Sequence, residues 1–432
     1  MHQTDRRKKT EYAAVIFAAL VLYSFIIVCR CSLPRVDGVT YSFHCVDFSM
    51  GFCSKLLPGG LYNLLVSAPS QKSAAIYETV LLLVFFLFLS YALAGYYLRV
   101  PEKHRKTALI LGLFYLTGSS TFAPYAFQLG MLDVYWLFLS LIFIYCLHTK
   151  YIKWFVFPAV LFLGCMVHSG VIMTYIPFLC LLLLFEYTAE KEKRERLRKG
   201  ILLLLCMTVS LGSYVYFLTQ DKNNLTYSMT EFNSILEERG CDMTRYYDTA
   251  FYCTPENYTE EFLEVFQESG DYPKSPYTPL FTGDDLSPVK TLLNALAFQL
   301  QYQFFTLTQR GMFRDVFTEA AVLLLILSPL LVLFYRLLIK KTRTEKAGMK
   351  KLAYICSLVM FPLAAFGSLM LSTDSVRWID HGFLCLFTLV LYLLGRDEDG
   401  WDEIGKFFGS FHPAVGAAYL FIYALTIFDP YV

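Results

Sequence analysis

Apolar residues in this chain gather into long runs separated by short charged connections, and the run lengths decide the fold class. A helix crossing a hydrocarbon layer ~30 Å thick needs roughly 17–25 mostly apolar residues. Runs close to that length fall near 12–29, 76–98, 107–123, 131–148, 154–169, 171–187, 200–218, 317–338, 352–371, 379–394 and 412–428. They predict an all-α polytopic bundle of about eleven transmembrane helices, a single integral membrane domain over 1–432. Polar sequence without a small-residue cleavage site follows the first run, so it is expected to stay as a helix and not to be removed as a signal.

One stretch tests the pattern. Residues 154–187 are apolar almost without interruption, too long for one ordinary crossing, yet Lys153 and Lys191 put basic residues at both ends. The run is therefore expected to cross twice, turning around His168-Ser169-Gly170, with arms of roughly 16–17 residues that suit a thin bilayer or little tilt.

Orientation follows from the basic residues, which concentrate on the cytoplasmic side. Arg6, Arg7, Lys8 and Lys9 precede the first run and place the N-terminus in the cytoplasm. Alternate connections then carry Arg99/Lys103/Arg105/Lys106, Lys150/Lys153, the 191–199 run and the 340–351 run, so that about 25 of the 37 Lys and Arg fall on one side. The expected location is the cytoplasmic (plasma) membrane, multi-pass.

Two longer segments interrupt the runs on the outer side. The first, 30–75, is rich in aromatics and Gly and is expected to lie on the membrane interface. The second, 219–316, is acidic and Tyr-rich, and ends in a predicted amphipathic helix near 288–305, where Ser287-Pro288 suits a helix start and Leu292, Leu293, Leu296, Leu300 and Phe304 recur at helical spacing.

Composition agrees with the run pattern. Of the 432 residues 56% are hydrophobic and 17% charged, whereas soluble proteins carry about a quarter charged. The net charge is +1, and the basic residues form short clusters with no continuous basic surface, so nucleic acid is excluded as a partner. Six of the 12 cysteines lie inside apolar runs as small apolar residues. Outer Cys45 and Cys53, or Cys241 and Cys253, are spaced to allow bridges in an oxidising compartment. No Cys/His metal pattern occurs. Asn224 and Asn257 head glycosylation sequons that matter only in a eukaryotic secretory pathway.

Ionisable residues near hydrocarbon are costly and mark candidate sites. The topology gathers them toward the outer leaflet: Asp37, His44, Asp47 and Lys55 in the first outer segment, Gln128 and Asp133 between the third and fourth runs, His168 at the hairpin apex, and Asp374, Arg377, Asp380 and His381 in STDSVRWIDHG. The inner side has Lys and Arg in abundance but is expected to hold no comparable gathering of acid, His and Arg inside the apolar runs. Asp37 or Asp47 is the candidate general base or the holder of a divalent cation, each against a plainer role: a turn with Gly38 for Asp37 and a helix cap for Asp47. Arg377 is the candidate phosphate clamp, or else an internal partner of Asp374. His168 either moves a proton or caps the hairpin turn. Lys55 is an interfacial cation within reach of lipid phosphate, and Trp378 can stack on a sugar. His44, Gln128, Asp133, Asp380 and His381 are supporting polar groups. No sequence feature fixes a cofactor.

Three patches carry a resemblance. Asp37 and Tyr41 followed by Gly51-Phe-x-Ser-Lys-Leu-Leu-x-Gly59, then Asp374-Ser-Val-Arg377-Trp378, resemble elements of bacterial membrane proteins encoded in surface-polysaccharide loci. The helix end AVLFLGCMVHSGVIM resembles that of exopolysaccharide and O-antigen polymerases. The resemblance implies a multi-helix glycosyltransferase or repeat-unit polymerase that uses polyprenyl-phosphate-linked saccharides at the outer leaflet, alongside other polysaccharide-assembly proteins. It maps an essential acid to Asp37 or Asp47, and outer-face Arg and His to Arg377 and His168. Lys55 stands where the pattern has Arg. The competing readings are a transporter or flippase for lipid-linked saccharides, which would favour mid-membrane polar groups and helices interrupted at Pro158, Pro177, Pro329 and Pro362, and a non-catalytic assembly partner.

Overall fold

The structure, a computed structural model, describes residues 3–31, 36, 38–52, 54–118, 120–122, 125–126, 129, 132–224, 229–240, 280–281, 287, 289–290, 292–294, 296–297, 300–301, 313–371 and 375–426. Among them the fold is helical. A helix occupies each of the eleven apolar runs: α1 (Gln3–Cys31), α4 (Gln71–Arg99), α5 (Arg105–Thr117), α6 (Asp133–Cys146), α7 (Lys153–Val167), α8 (Tyr175–Ala189), α9 (Lys193–Asn224), α11 (Phe313–Thr344), α12 (Met349–Leu371), α13 (Ser375–Leu394) and α15 (Pro413–Leu425). The shorter α2 (Gly38–Cys45), α3 (Leu56–Leu65), α10 (Met229–Glu238) and α14 (Glu398–Gly409) lie between them. Among the described residues six helices are long and apolar enough to cross a membrane, or seven if α14 and α15, bent by 100° at their break, count as one span. The chain is a helical, multi-pass membrane protein.

Local chemistry explains the element ends. Ser70 caps α4 and Ser73 answers it, each side chain taking the other residue's backbone N–H at 3.1 and 2.9 Å. Pro158, Pro329 and Pro362 sit inside helices that continue through them, and Pro177 sits in the first turn of α8. The expected interruption does not occur. Neighbouring helices can satisfy the backbone carbonyl that a buried proline frees.

The 154–187 run goes out and back. α7 ends at Val167, a 3₁₀ turn spans Ser169–Met173, and α8 follows. Lys153 at the start of α7 lies in the field of Glu186 near the end of α8, so both arms finish at the same end.

Helix α13 is the centre of the bundle, with 67% of its apolar stretch buried, against 22% for the peripheral α1, which packs on α4. Helix α14 has no counterpart among the apolar runs, because GWDEIGKFFG is amphipathic and too short to be one. It buries Trp401 and Ile404 and is fastened to the basic end by Lys103–Glu398, Lys340–Glu403 and Lys341–Asp397. Most of 219–316 lies outside the described residues. In its last part the described residues within 289–301 are helical, and the Asn294 amide exchanges hydrogen bonds of 2.9 and 2.8 Å with the Phe281 backbone.

Candidate functional site

Helices α6, α8 and α13 begin together at the end of the bundle away from the basic connections, and their first turns build the site. Asp133 opens α6, Tyr175 opens α8, and Arg377 is the third residue of α13. Arg377 donates to Asp133 through two parallel bonds, Nε to Oδ2 at 2.7 Å and Nη2 to Oδ1 at 2.9 Å. His381, one turn further along α13, brings Nε2 to 3.4 Å from the same Oδ2. Its Nδ1 stands 2.8 Å from the hydroxyls of both Tyr125 and Tyr175, which are 3.0 Å from each other. The result is a buried chain of carboxylate, imidazole and phenol, with Asp133 2% and His381 4% exposed.

The hairpin apex completes this site. Gly170 donates its backbone N–H to His168 Nδ1 at 2.9 Å. That nitrogen is therefore the acceptor, and the neutral ring carries its proton on Nε2. The His168 ring lies 5.2 Å from Trp378, which also stands 5.5 Å from His381 and sits under the Arg377 guanidinium. Trp378 is only 2% exposed, because its ring is packed among these groups and against Gly170. Lys55 and Arg377 both lie within electrostatic range of the His168 imidazole. The Lys55 backbone takes a left-handed φ of 64°, uncommon for a side-chain-bearing residue, and its N–H donates to the Met166 carbonyl at 2.5 Å. This contact docks the first outer segment on the end of α7.

A second buried cluster lies across α6. Glu78, three residues inside the second apolar run, accepts a hydrogen bond from Tyr135 at 2.9 Å and faces His44 Nε2 at 2.7 Å, all on Oε1. The Thr40 carbonyl, 2.8 Å from His44 Nδ1, can only accept, so Nδ1 carries a hydrogen. Glu78 and His44 then share the one proton between them. Both are fully buried, and Glu78 Oε2 has no partner among the described residues.

Asp47 is differently placed. It caps the 3₁₀ turn Phe48–Met50 through Ser49 N at 2.9 Å, accepts from Asn63 at 3.2 Å, and pairs with Arg239 at 3.0 Å. Arg239, just beyond α10, also donates to the Cys45 carbonyl and accepts from Tyr41 at 2.9 Å, so it joins the two outer segments. Burial pushes the Asp47 carboxyl up, but the Ser49 hydrogen bonds and the Arg239 charge outweigh it and hold the group below its ordinary value. The buried Cys45 thiol points at the same Arg239 carbonyl, 3.9 Å away.

Asp37, Gln128 and Asp374 fall outside the described residues, as do the partner cysteines Cys53, Cys241 and Cys253. Within the described residues Arg377 pairs with Asp133, a residue 244 positions away that the sequence placed among supporting groups. Tyr125 and Tyr175 were not singled out, since nothing separates them from the other tyrosines in the chain. Glu78 had a usable signal: a carboxylate inside an apolar run.

At the basic end a gathering forms where residues just beyond the apolar runs, Arg396 and Lys199, meet an acid inside one. Glu186, 6% exposed and inside the sixth run, accepts from Tyr392 at 2.7 Å, pairs with Arg396 and with Lys199 at 3.4 Å, and has His148 at 3.9 Å. Its partners come from three separate segments, which no local pattern could unite.

No group of three or more His, Cys, Asp or Glu side chains placed to hold a metal occurs among the described residues. Compared with protein-family models, curated proteins and solved structures, the chain matches none.

Proposed function

We propose that the chain crosses the membrane eleven times with its N-terminus in the cytoplasm, and transfers a saccharide from a polyprenyl-phosphate-linked donor to an acceptor hydroxyl at the outer face. The observation that carries this reading is the Arg377–Asp133–His381–tyrosine chain with His168 joined to it through Trp378 and Lys55 in electrostatic range, at the end remote from the basic connections.

The groups divide by what each can do. Three helix N-termini and two cations favour an anion such as a donor pyrophosphate. His168, with its proton on Nε2, is a donor toward a phosphate oxygen and not a base. Asp133 is committed to Arg377 and orients His381. His381 is the group able to relay a proton from a tyrosine hydroxyl, and so from the acceptor. In the transfer the acceptor oxygen bonds to the anomeric carbon and the bond from that carbon to the phosphate oxygen breaks. The pyrophosphate leaves with the electron pair, stabilised by Arg377 and Lys55, and the acceptor proton passes through tyrosine to His381.

The experiment is complementation of cells lacking this chain with His381→Gln, Arg377→Lys and Asp133→Asn, with membrane insertion checked for each. Polymer should fall at least tenfold in each, since misplacing a proton-relay group typically costs about 10²–10⁴ in rate. Full polymer yield from all three sinks the reading. The buried Glu78–His44 pair favours proton-coupled transport as a second reading, because membrane-buried acid–His pairs form proton relays. Proton-driven substrate movement into vesicles containing only this chain would select it.

A further inference from the structure

Asp133 opens a helix whose first turn has no side-chain cap, since Leu132 before it supplies none. The aim of its carboxylate therefore depends on how that turn is held from outside. Three buried side chains leave the turn in different directions. Successive residues of an α-helix lie about 100° apart, so Tyr135 stands roughly 200° round from Asp133. Asp133 reaches α13, where it takes both bonds from Arg377. Tyr135 reaches the opposite way, and its hydroxyl donates to Glu78 Oε1 of α4 at 2.9 Å. Trp136 stacks on Tyr175 of α8 with ring centroids 5.4 Å apart, and a Cβ on Gly164 of α7 would stand 1.8 Å from its ring.

The anchor for Tyr135 is itself fixed. Glu78 Oε1 also faces His44 Nε2 at 2.7 Å, and the other nitrogen of that ring lies 2.8 Å from the Thr40 carbonyl of α2. Tyr62 and Tyr77 meet the imidazole edge-on, with centroids 5.2 and 6.1 Å away. The Tyr77 hydroxyl is 3.4 Å from that of Tyr135. Apolar packing is non-directional and would let the turn of α6 rotate. A hydrogen bond in a dry site is directional, and breaking it leaves a buried group unpaired. A carboxylate inside an apolar run is costly. Glu78 is sealed from solvent, out of reach of a substrate, and what it supplies is a fixed point.

We propose that Glu78 is a positioning residue: held by His44 and acting through Tyr135, it sets the rotation of the first turn of α6 and so the aim of Asp133 at Arg377 and His381. Asp133 and Tyr135 lie on opposite sides of one turn, so a rotation that frees Tyr135 swings the carboxylate out of its bidentate alignment. The consequence for rate rests on the saccharide-transfer reading, whereas the positional claim rests on the helix geometry.

The test reads His381 without substrate. The purified full chain in detergent, its histidines isotope-labelled, gives imidazole nitrogen resonances, and those lost in His381→Gln belong to His381. Tyr135→Phe removes only the hydroxyl and Glu78→Leu removes the anchor, and each should shift the His381 resonances, because Asp133 moves against Nε2. Glu78→Gln should leave them in place, since its amide keeps a bond to Tyr135. Tyr392→Phe, which takes the matching hydroxyl from Glu186 at the basic end, should leave them in place too. Unmoved resonances in Tyr135→Phe overturn the proposal, and that variant decides alone should Glu78→Leu not fold. Equal shifts in Glu78→Gln and Glu78→Leu, or in Tyr392→Phe and Tyr135→Phe, also overturn it. In complementation Tyr135→Phe should lower polymer by about tenfold, within the roughly 10²-fold that a misplacement of about 1 Å can cost. Polymer lost in His381→Gln but full in Tyr135→Phe overturns the proposal. Full polymer in both sinks the transfer reading alone, and the His381 resonances still decide the positional claim.

Discussion

The two ends of the bundle hold nearly the same chemistry and make opposite use of it. At one end Asp133 meets Arg377, His381 and two tyrosines. At the other Glu186 meets Arg396, Lys199, His148 and Tyr392. The difference is water. Arg377 and His381 are 10% and 5% exposed at their side chains, whereas Arg396 and His148 are 33% and 67% exposed. Exposed charges are interchangeable and fasten the helix ends. Buried ones have a fixed geometry, and each must answer a specific partner. The same inventory is thus a clamp at the basic end and a candidate site at the other.

The strongest way to break this comparison is to delete one arginine from each end. Arg377→Ala leaves Asp133 buried without its bidentate partner, a loss of about 3–5 kcal/mol. Arg396→Ala leaves Glu186 with Lys199, Tyr392 and water, and should cost about 1 kcal/mol or less. Melting curves of the detergent-solubilised variants measure both, and equal losses would show that burial does not separate the ends.

Between these extremes stands Glu78. Glu78→Ala strands His44 and Tyr135 in a dry site and should cost about 1–3 kcal/mol for each unpaired group. Glu78→Gln should retain most of the stability, since an amide nitrogen at the Oε1 position has two hydrogens, one for His44 Nε2 and one for the Tyr135 oxygen. If the Gln and Ala variants melt alike, the pair depends on the negative charge and the hydrogen-bond account is wrong.

What the sequence made legible divides along the same line. Run lengths and basic connections located each apolar helix and the 154–187 hairpin, because hydrocarbon thickness and charge placement act locally along the chain. Arg377 and His381 share a helix face at a spacing of four, and their link was within reach. Asp133–Arg377 and Tyr125–His381 are pairings between distant segments, and no single-chain pattern encodes them. The Gly51–Gly59 patch proves to be packing chemistry: Gly51 has φ 130°, Lys55 is left-handed, and a Cβ on Gly59 would stand 1.8 Å from the Val46 carbonyl. Its residues shape the loop that carries Lys55 to the end of α7 at Met166. Glu78 and Glu186 were visible as acids inside apolar runs, and only their partners were hidden.

Asp47 gives the smallest effect and the sharpest sign. Its carboxyl is held below its ordinary value by Ser49 and Arg239 against the opposing pull of burial, so the tie between the outer segments favours the charged form. For a depressed acid the contribution is fully present above the unfolded value of about 3.9 and is lost as pH falls through the lower folded value. The pair is partly exposed, 29% and 19% at the two side chains, so its worth is about 1 kcal/mol at most. Hydrogen exchange of the backbone over 41–50 should therefore be unchanged from pH 7 to 5 after correction for intrinsic rates, and should quicken below about 4. Asp47→Asn should show the quickened rate at every pH, while Asp133, with a deeper pair, keeps its own region protected throughout. A tie that already loosens well above a pH of about 4 would show that a group other than the Asp47 carboxyl holds the outer-segment contact.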